Sequence, residues 1–303
     1  MTFSRFILFS LFTLLAVTTF NTAYGQQSIP TPKWELVEKK LKKNRLSKGF
    51  IQALKKNYDP STFTDVLELN TLLFLRKSDY HGTQVSDEAV DRVTSFMAEN
   101  KKILNHAEKQ FGVDSFVIAS LLFIESRYGK NTGTFDVCSV FAHLAQLDRP
   151  EILDYLYSQT SKFSLEVISA EDKKRIVEMK TRKEKWALEE LSALNRMYKR
   201  DKKLTMQLRG SFSGAFGIAQ FIPSSFMVYA RSKNNKVADL SKVDDAVTSV
   251  ANYLKKSGWR KNKTKALLKY NNSLDYANAI LKLAKESKAS QRRTPAESEN
   301  RKN

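Results

Sequence analysis

The chain has 303 residues, 42% of them hydrophobic, which suits one globular body of roughly 200 or more residues with appended segments. Its 51 Lys and Arg against 32 Asp and Glu give a net charge of +19, a surface that draws polyanions. A single cysteine, Cys138, excludes an intramolecular disulfide, so stability must come from the core; in its apolar run Cys138 itself reads as a small buried hydrophobe.

Residues 1–25 carry one charge, Arg5, then an apolar run from Phe6 to Phe20, then Ala23-Tyr24-Gly25. This pattern predicts a secretory signal peptide cut near Gly25, and the run is short for a membrane span, so no stable membrane anchor is expected. Export turns the basic surface away from nucleic acid and toward an anionic cell-wall surface. The competing reading of the charge is a lysine-rich face kept for solubility. Residues 26–33, with two prolines, read as a linker.

From Trp34 to Lys109 the pattern is helical: Trp34, Val37 and Leu41 recur at helix spacing, as do Val90, Val93, Phe96 and Met97. Ser86 before Asp87-Glu88 predicts an N-cap, and Gly112 a helix end before the next helix begins. That next helix carries the run Phe116 to Ile124 and then Glu125. Four and seven residues behind Glu125 lie Leu121 and Ile118, so its carboxyl shares an apolar face, where desolvation favours the protonated acid. A neutral carboxylic acid near pH 7 is what glycosidic bond cleavage requires.

Phe135 to Leu147 and Trp186 to Met197 read as helices, and Asp148 to Thr181 as an inserted segment between them. Gly210 to Gly217 is a glycine-rich loop followed by a helix start at Pro223-Ser224-Ser225. Helices are predicted over Asp244 to Ser257 and Lys263 to Asn271, and the charged stretch 286–303 reads as a disordered tail. Strand alternation is nearly absent, so the fold class is mostly α with at most a small β element. His81, His106 and His143 lack metal-ligand spacing, so neither a metal nor another cofactor is expected.

Four ordered pieces carry a family resemblance: Glu125-Ser126-Arg127-Tyr128-Gly129-Lys130-Asn131-Thr132-Gly133, the segment Gly214 to Ser225, Ser249 to Leu254 before Gly258-Trp259, and Tyr270-Asn271. Together, from about Gly49 to about Asp275, the chain resembles the membrane-bound lytic transglycosylase B family. The resemblance implies a lysozyme-like catalytic core over 34–285, with 34–109 as its N-terminal helical part. It also implies a partner, the glycan strands of peptidoglycan, and cleavage of the β-1,4 bond between N-acetylmuramic acid and N-acetylglucosamine. Glu125 then matches a single acid and base that leaves 1,6-anhydromuramic ends. Gln220 matches a substrate-contacting glutamine, Tyr270 and Asn271 match residues that orient the acid and the sugar, and Arg182, Lys183 and Trp186 match a basic, aromatic groove wall.

Each assignment has a plainer reading beside it. Ser126 reads as substrate contact or as a helix-end hydroxyl bonded to backbone, Phe221 and Trp186 as sugar platforms or as packing, Tyr270 as site residue or core aromatic, and Arg182 and Lys183 as a solvated helix face. The stretch Ser232 to Asp239, where some family members carry a calcium loop, has two lysines and one acid, which argues against a metal there. A hydrolytic lysozyme is the near alternative, with Asp136 and Asp148 as candidate second carboxylates. A wall-binding protein without catalysis is the more distant one. The expected location is periplasmic or secreted.

Overall fold

The computed structural model describes residues 29–76, 85–232 and 237–292. The expected signal peptide, His81 and residues 293–303 lie outside the described residues. The N-terminal part forms three helices, α1 (Trp34–Lys43), α2 (Lys48–Asn57) and α3 (Phe63–Leu72). Trp34, Val37 and Leu41 are buried at the spacing read from sequence. α4 (Asp87–Glu99) begins where Ser86 accepts a hydrogen bond from the Ala89 amide, a cap worth about 1 kcal/mol. α5 (Lys101–Phe111) ends at Gly112, whose φ of 70° is the left-handed turn a helix C-terminus favours.

α6 (Ser115–Ser126) is apolar all round: every residue from Phe116 to Phe123 is buried. A helix without a polar face must be enclosed, and α4, α5, α12 (Val243–Lys256) and α14 (Leu274–Arg292) pack around it. A second group forms around α9 (Ala170–Arg200), against α3, α7 (Val137–Leu144), α10 (Lys202–Met206) and α11 (Pro223–Tyr229). α8 (Pro150–Ser158) leans on α3, and α13 (Lys263–Tyr270) joins α12 to α14. Among the described residues the sheet is two short antiparallel strands, β1 (Phe135–Asp136) and β2 (Arg209–Gly210). The loop 211–222 between β2 and α11 is bonded by a helix of each group, by Asn70 of α3 at Phe212 O and by Tyr270 of α13 at Ala219 O.

Three segmental expectations change. The tail was expected to lose order from Glu286, but α14 continues to Arg292. Its buried face, Tyr276, Ala277, Ile280, Leu283, Ala284 and Ser287, keeps helical spacing with small residues, and Lys288 reaches Asp114 at 2.9 Å. Alanine and serine carry that face, so a count of large apolar side chains misses it. The linker 26–33 is tied down over its described end: Pro30 is buried, the Lys33 amide donates to Gln146 Oε1 at 2.7 Å, and Thr31 O accepts from Arg149 at 2.8 Å. The segment 148–181 is no appendage, since Ile152, Tyr155, Leu156 and Ile176 enter the core. Its expected end at Thr181 falls inside α9, a 31-residue helix opened by a Ser169–Asp172 capping box. Only its turn projects, with Leu165 and Val167 fully exposed.

Candidate active site

Glu125 is the penultimate residue of α6. The residue is half-buried, and its Oε1 accepts a hydrogen bond from the hydroxyl of Tyr276 on α14. Burial raises its pKa from 4.5 to about 7, against the opposing pull of the Tyr276 bond. With Oε1 taken as an acceptor, Oε2 is the oxygen that carries the acidic proton.

After Ser126 the chain turns through three consecutive left-handed residues, Arg127, Tyr128 and Gly129, at φ 51°, 59° and 93°. Ser126 fixes this turn: its hydroxyl donates to Ile218 O at 2.7 Å and accepts from the Gly129 amide at 2.9 Å. With 1% of its surface exposed, it has nothing left to offer a substrate, so its expected binding role is corrected to a structural one. It sets Glu125 against the glycine-rich loop.

That loop is held where side chains would not fit. A Cβ on Gly214, at φ 75°, would stand 2.4 Å from the Phe141 ring, and one on Gly217 2.5 Å from Leu240 Cβ. Phe216 and Phe221 exchange backbone hydrogen bonds at 3.0 and 3.2 Å, which folds the loop back on itself. At its tip Gln220 sits at φ 47°, with Nε2 donating to Thr132 O at 3.2 Å and Gly217 O at 2.9 Å. Both partners are carbonyls, so the orientation of the amide is decided and Oε1 is the atom left for a ligand.

Phe221 is 1% exposed and packs against Tyr253 and Tyr270, each 5.7 Å away between ring centres. Its expected contact with sugar is therefore corrected to packing beneath the site. Tyr270 is half-buried and donates to Ala219 O at 2.5 Å, tying α13 to the loop. Its pKa lies well above the usual range, through burial first and the charge of Glu125 second. Asn271, at the end of α13, is exposed. Tyr276 and Tyr253 escaped the sequence reading, although Tyr253 lies inside a quoted motif and Tyr276 stands six residues after Tyr270. No spacing rule says which of several tyrosines meets a carboxylate 151 positions away.

Arg182, Lys183 and Trp186 form a second cluster that the structure divides. Lys183 Nζ lies 3.1 Å from Asn70 Oδ1 and 4.4 Å from the centre of the half-buried Trp186 ring. Burial, then repulsion from Arg182, lowers its pKa to about 8. Arg182 is exposed and turns to a different cleft, shared with Lys174, Arg175 and Lys185. Trp186 stands edge-on to Phe141, 5.2 Å away. The glycine-rich loop connects the two clusters: Phe212 and Ser213 bond Asn70 at one end, and Ala219 bonds Tyr270 at the other.

Neither candidate second carboxylate is free. Asp136 caps α7, accepting from the Ser139 amide at 2.7 Å, and pairs with Arg209, while Asp148 pairs with Lys40 at 2.7 Å. A cleft of about 830 Å³ lined by Arg92, Phe96, Arg127 and Tyr128 does not include Glu125.

Residues 31–267 match the model of the transglycosylase SLT domain. The chain belongs to that family. It is similar to membrane-bound lytic murein transglycosylase B of Escherichia coli K12, 25% identical over 190 residues, 62% of this chain and 44% of that protein. The chain thus matches under half the length of this curated relative. Among solved structures, soluble lytic transglycosylase SltB1 from Pseudomonas aeruginosa superposes with a TM-score of 0.63 at 19% identity, covering 85% of this chain and 98% of the other. Escherichia coli lytic transglycosylase Slt35, solved with calcium, gives 0.65 at 18%, covering 87% and 95%. Pseudomonas aeruginosa SltB3, solved with NAG-anhNAM-pentapeptide, gives 0.63 at 18%, covering 84% and 78%. These likenesses establish the mostly α, lysozyme-like fold of the SLT family in this chain. Residues 233–236 of the stretch weighed for calcium lie outside the described residues. Asp239 Oδ1 is taken by the Ser241 amide and hydroxyl at 3.0 and 2.6 Å.

Proposed function

We propose that this protein is a peptidoglycan lytic transglycosylase in which Glu125 serves as acid and then as base. The observation that carries the reading is a half-buried carboxylic acid with a pKa of about 7, held by Tyr276, whose shift comes from burial and that one bond with no second carboxylate among its causes. Retaining and inverting glycosidases need a partner carboxylate within about 5–10 Å. Glu125 Oε2 gives its proton to the oxygen of the β-1,4 bond, the bond from muramic C1 to that oxygen breaks, and the N-acetylglucosamine end leaves as an alcohol. The C6 hydroxyl of the same muramic acid then attacks C1 and returns its proton to Glu125. No water is consumed, and the ring closes as 1,6-anhydromuramic acid.

A pKa near 7 suits both halves of this cycle, since proton transfer is most effective when the group titrates near the working pH. Gln220 Oε1 and the exposed Asn271 amide supply the polar contacts to sugar, and Tyr270 holds the loop against the acid. Periplasmic or secreted location, glycan strands as partner and attraction to the anionic wall complete the proposal. Among the described residues no helix is long and apolar enough to cross a membrane. Mass spectrometry of purified cell wall after digestion tests the chemistry. Anhydromuramic ends are expected, whereas reducing ends alone would make the enzyme a hydrolytic lysozyme.

A further inference from the structure

Among the described residues no carboxylate pairs with Lys183, whose ammonium meets Asn70 Oδ1 and the Trp186 ring. Glu68, two residues before Asn70 on α3, is bound by Tyr155 and Lys162; Glu184 is bound by Lys40; Glu190 accepts from the Ser224 amide and hydroxyl. What faces the ammonium is neutral apart from Arg182: an amide oxygen, and an indole ring. The amide is Asn70, 3% exposed and saturated. Its Nδ2 donates to Val66 O and Phe212 O, both at 2.8 Å, which fixes its orientation, and its Oδ1 accepts from Lys183 Nζ and Ser213 Oγ at 3.1 and 2.9 Å. A carboxylate in that place would hold the lysine more strongly but cancel its charge. An amide oxygen holds it and leaves the charge available.

We propose that Asn70 is a positioning residue that presents Lys183 as an uncompensated ammonium for a carboxylate carried by the muramic acid unit. The inference rests on the peptidoglycan reading above. An ammonium has three donors, of which Asn70 takes one and the Trp186 face covers another side. A partly desolvated cation with a free donor is completed by an anion, and on this glycan the anions are the carboxylates of the peptide stem or, where the stem is absent, of the lactyl group. The clamp also couples recognition to the site, because the loop that bonds Asn70 through Phe212 and Ser213 ends at Gln220.

The test measures KM and kcat at rising salt for three ligands: glycan bearing its peptides, glycan stripped of them so that lactyl carboxylates are free, and a chitooligosaccharide with no carboxylate. For the unaltered protein KM rises with salt on whichever of the first two ligands supplies the anion, and chitooligosaccharide binding is insensitive. Asn70→Asp and Lys183→Met each raise KM about tenfold at low salt, the loss of one charge-assisted hydrogen bond, flatten its salt response and leave kcat unchanged. An unaltered salt response in either variant, or an equal response with chitooligosaccharide, overturns the proposal. Should Asn70→Asp not melt cooperatively, Asn70→Ala is compared alone and on Lys183→Met. The proposal requires a raised KM in the first setting and no added effect in the second; an equal added effect overturns it. Absence of anhydromuramic product from the unaltered protein would instead count against the enzymatic reading.

Discussion

Replacing Glu125 with glutamine should make the protein more stable above neutral pH and leave stability unchanged in acid. The carboxyl titrates at about 7 in the folded chain against 4.5 for an ordinary glutamate. The folded state therefore binds more protons than the unfolded state between those values, and stability contributed by the neutral acid is lost as pH rises through about 7. That shift corresponds to about 3 kcal/mol at full strength, and to about 2 kcal/mol allowing for the partial exposure of the residue. Glutamine keeps the oxygen that accepts from Tyr276 and never ionises, so it escapes this cost. Denaturant unfolding of both proteins from pH 4 to pH 9 would measure the difference directly. The reasoning predicts a gap near zero at pH 4 that widens in favour of Glu125→Gln to about 2 kcal/mol at pH 8. A constant gap, or a glutamine variant less stable at pH 8, would refute it.

Tyr276→Phe removes the hydroxyl that stabilises the Glu125 carboxylate. The alkaline limb of kcat/KM, set by the protonated acid, should move up by about one to two pH units, the worth of one hydrogen bond to a charged group; an unmoved limb would show that Tyr276 does not act on the acid. His143 is fully buried between Tyr58 and Thr62, and burial lowers its pKa to about 4. The unfolded chain binds its proton first, so stability should fall as pH drops from 6.5 toward 4, opposite in sign to the Glu125 effect. Unfolding of His143→Gln over that range should show the acid-dependent loss reduced. Gly214→Ala puts a methyl group into the Phe141 ring at a left-handed φ, and should cost at least about 2 kcal/mol by thermal melting together with most of the activity.

Much of this site could be read from the chain because its signals are local. The apolar run before Glu125 dictates an enclosed helix and hence a desolvated carboxyl, whatever surrounds it. Ser86 and Gly112 mark helix ends by their own backbone needs. Gly214 and Gly217 announce a loop that only glycine permits, though not what presses on it. The partners were not legible, because they depend on which helices meet. Tyr276 and Asn70 reach Glu125 and Lys183 from helices far away in sequence, and nothing near either residue marks it. Ser126 and Phe221 show the converse error. Both belong to a recognisable motif, and both serve it from beneath, as a turn staple and as packing under Tyr270. Arg182 and Lys183 are neighbours in sequence, yet successive positions on α9 point them into different surroundings.

The most direct test of the central claim is the identity of the ends made by the unaltered enzyme and by Glu125→Gln on the same purified cell wall, read by mass spectrometry. The account predicts 1,6-anhydromuramic ends from the first and none from the second, with the glutamine variant folded and still sedimenting with the wall. Anhydromuramic ends released by Glu125→Gln at the unaltered rate would contradict it.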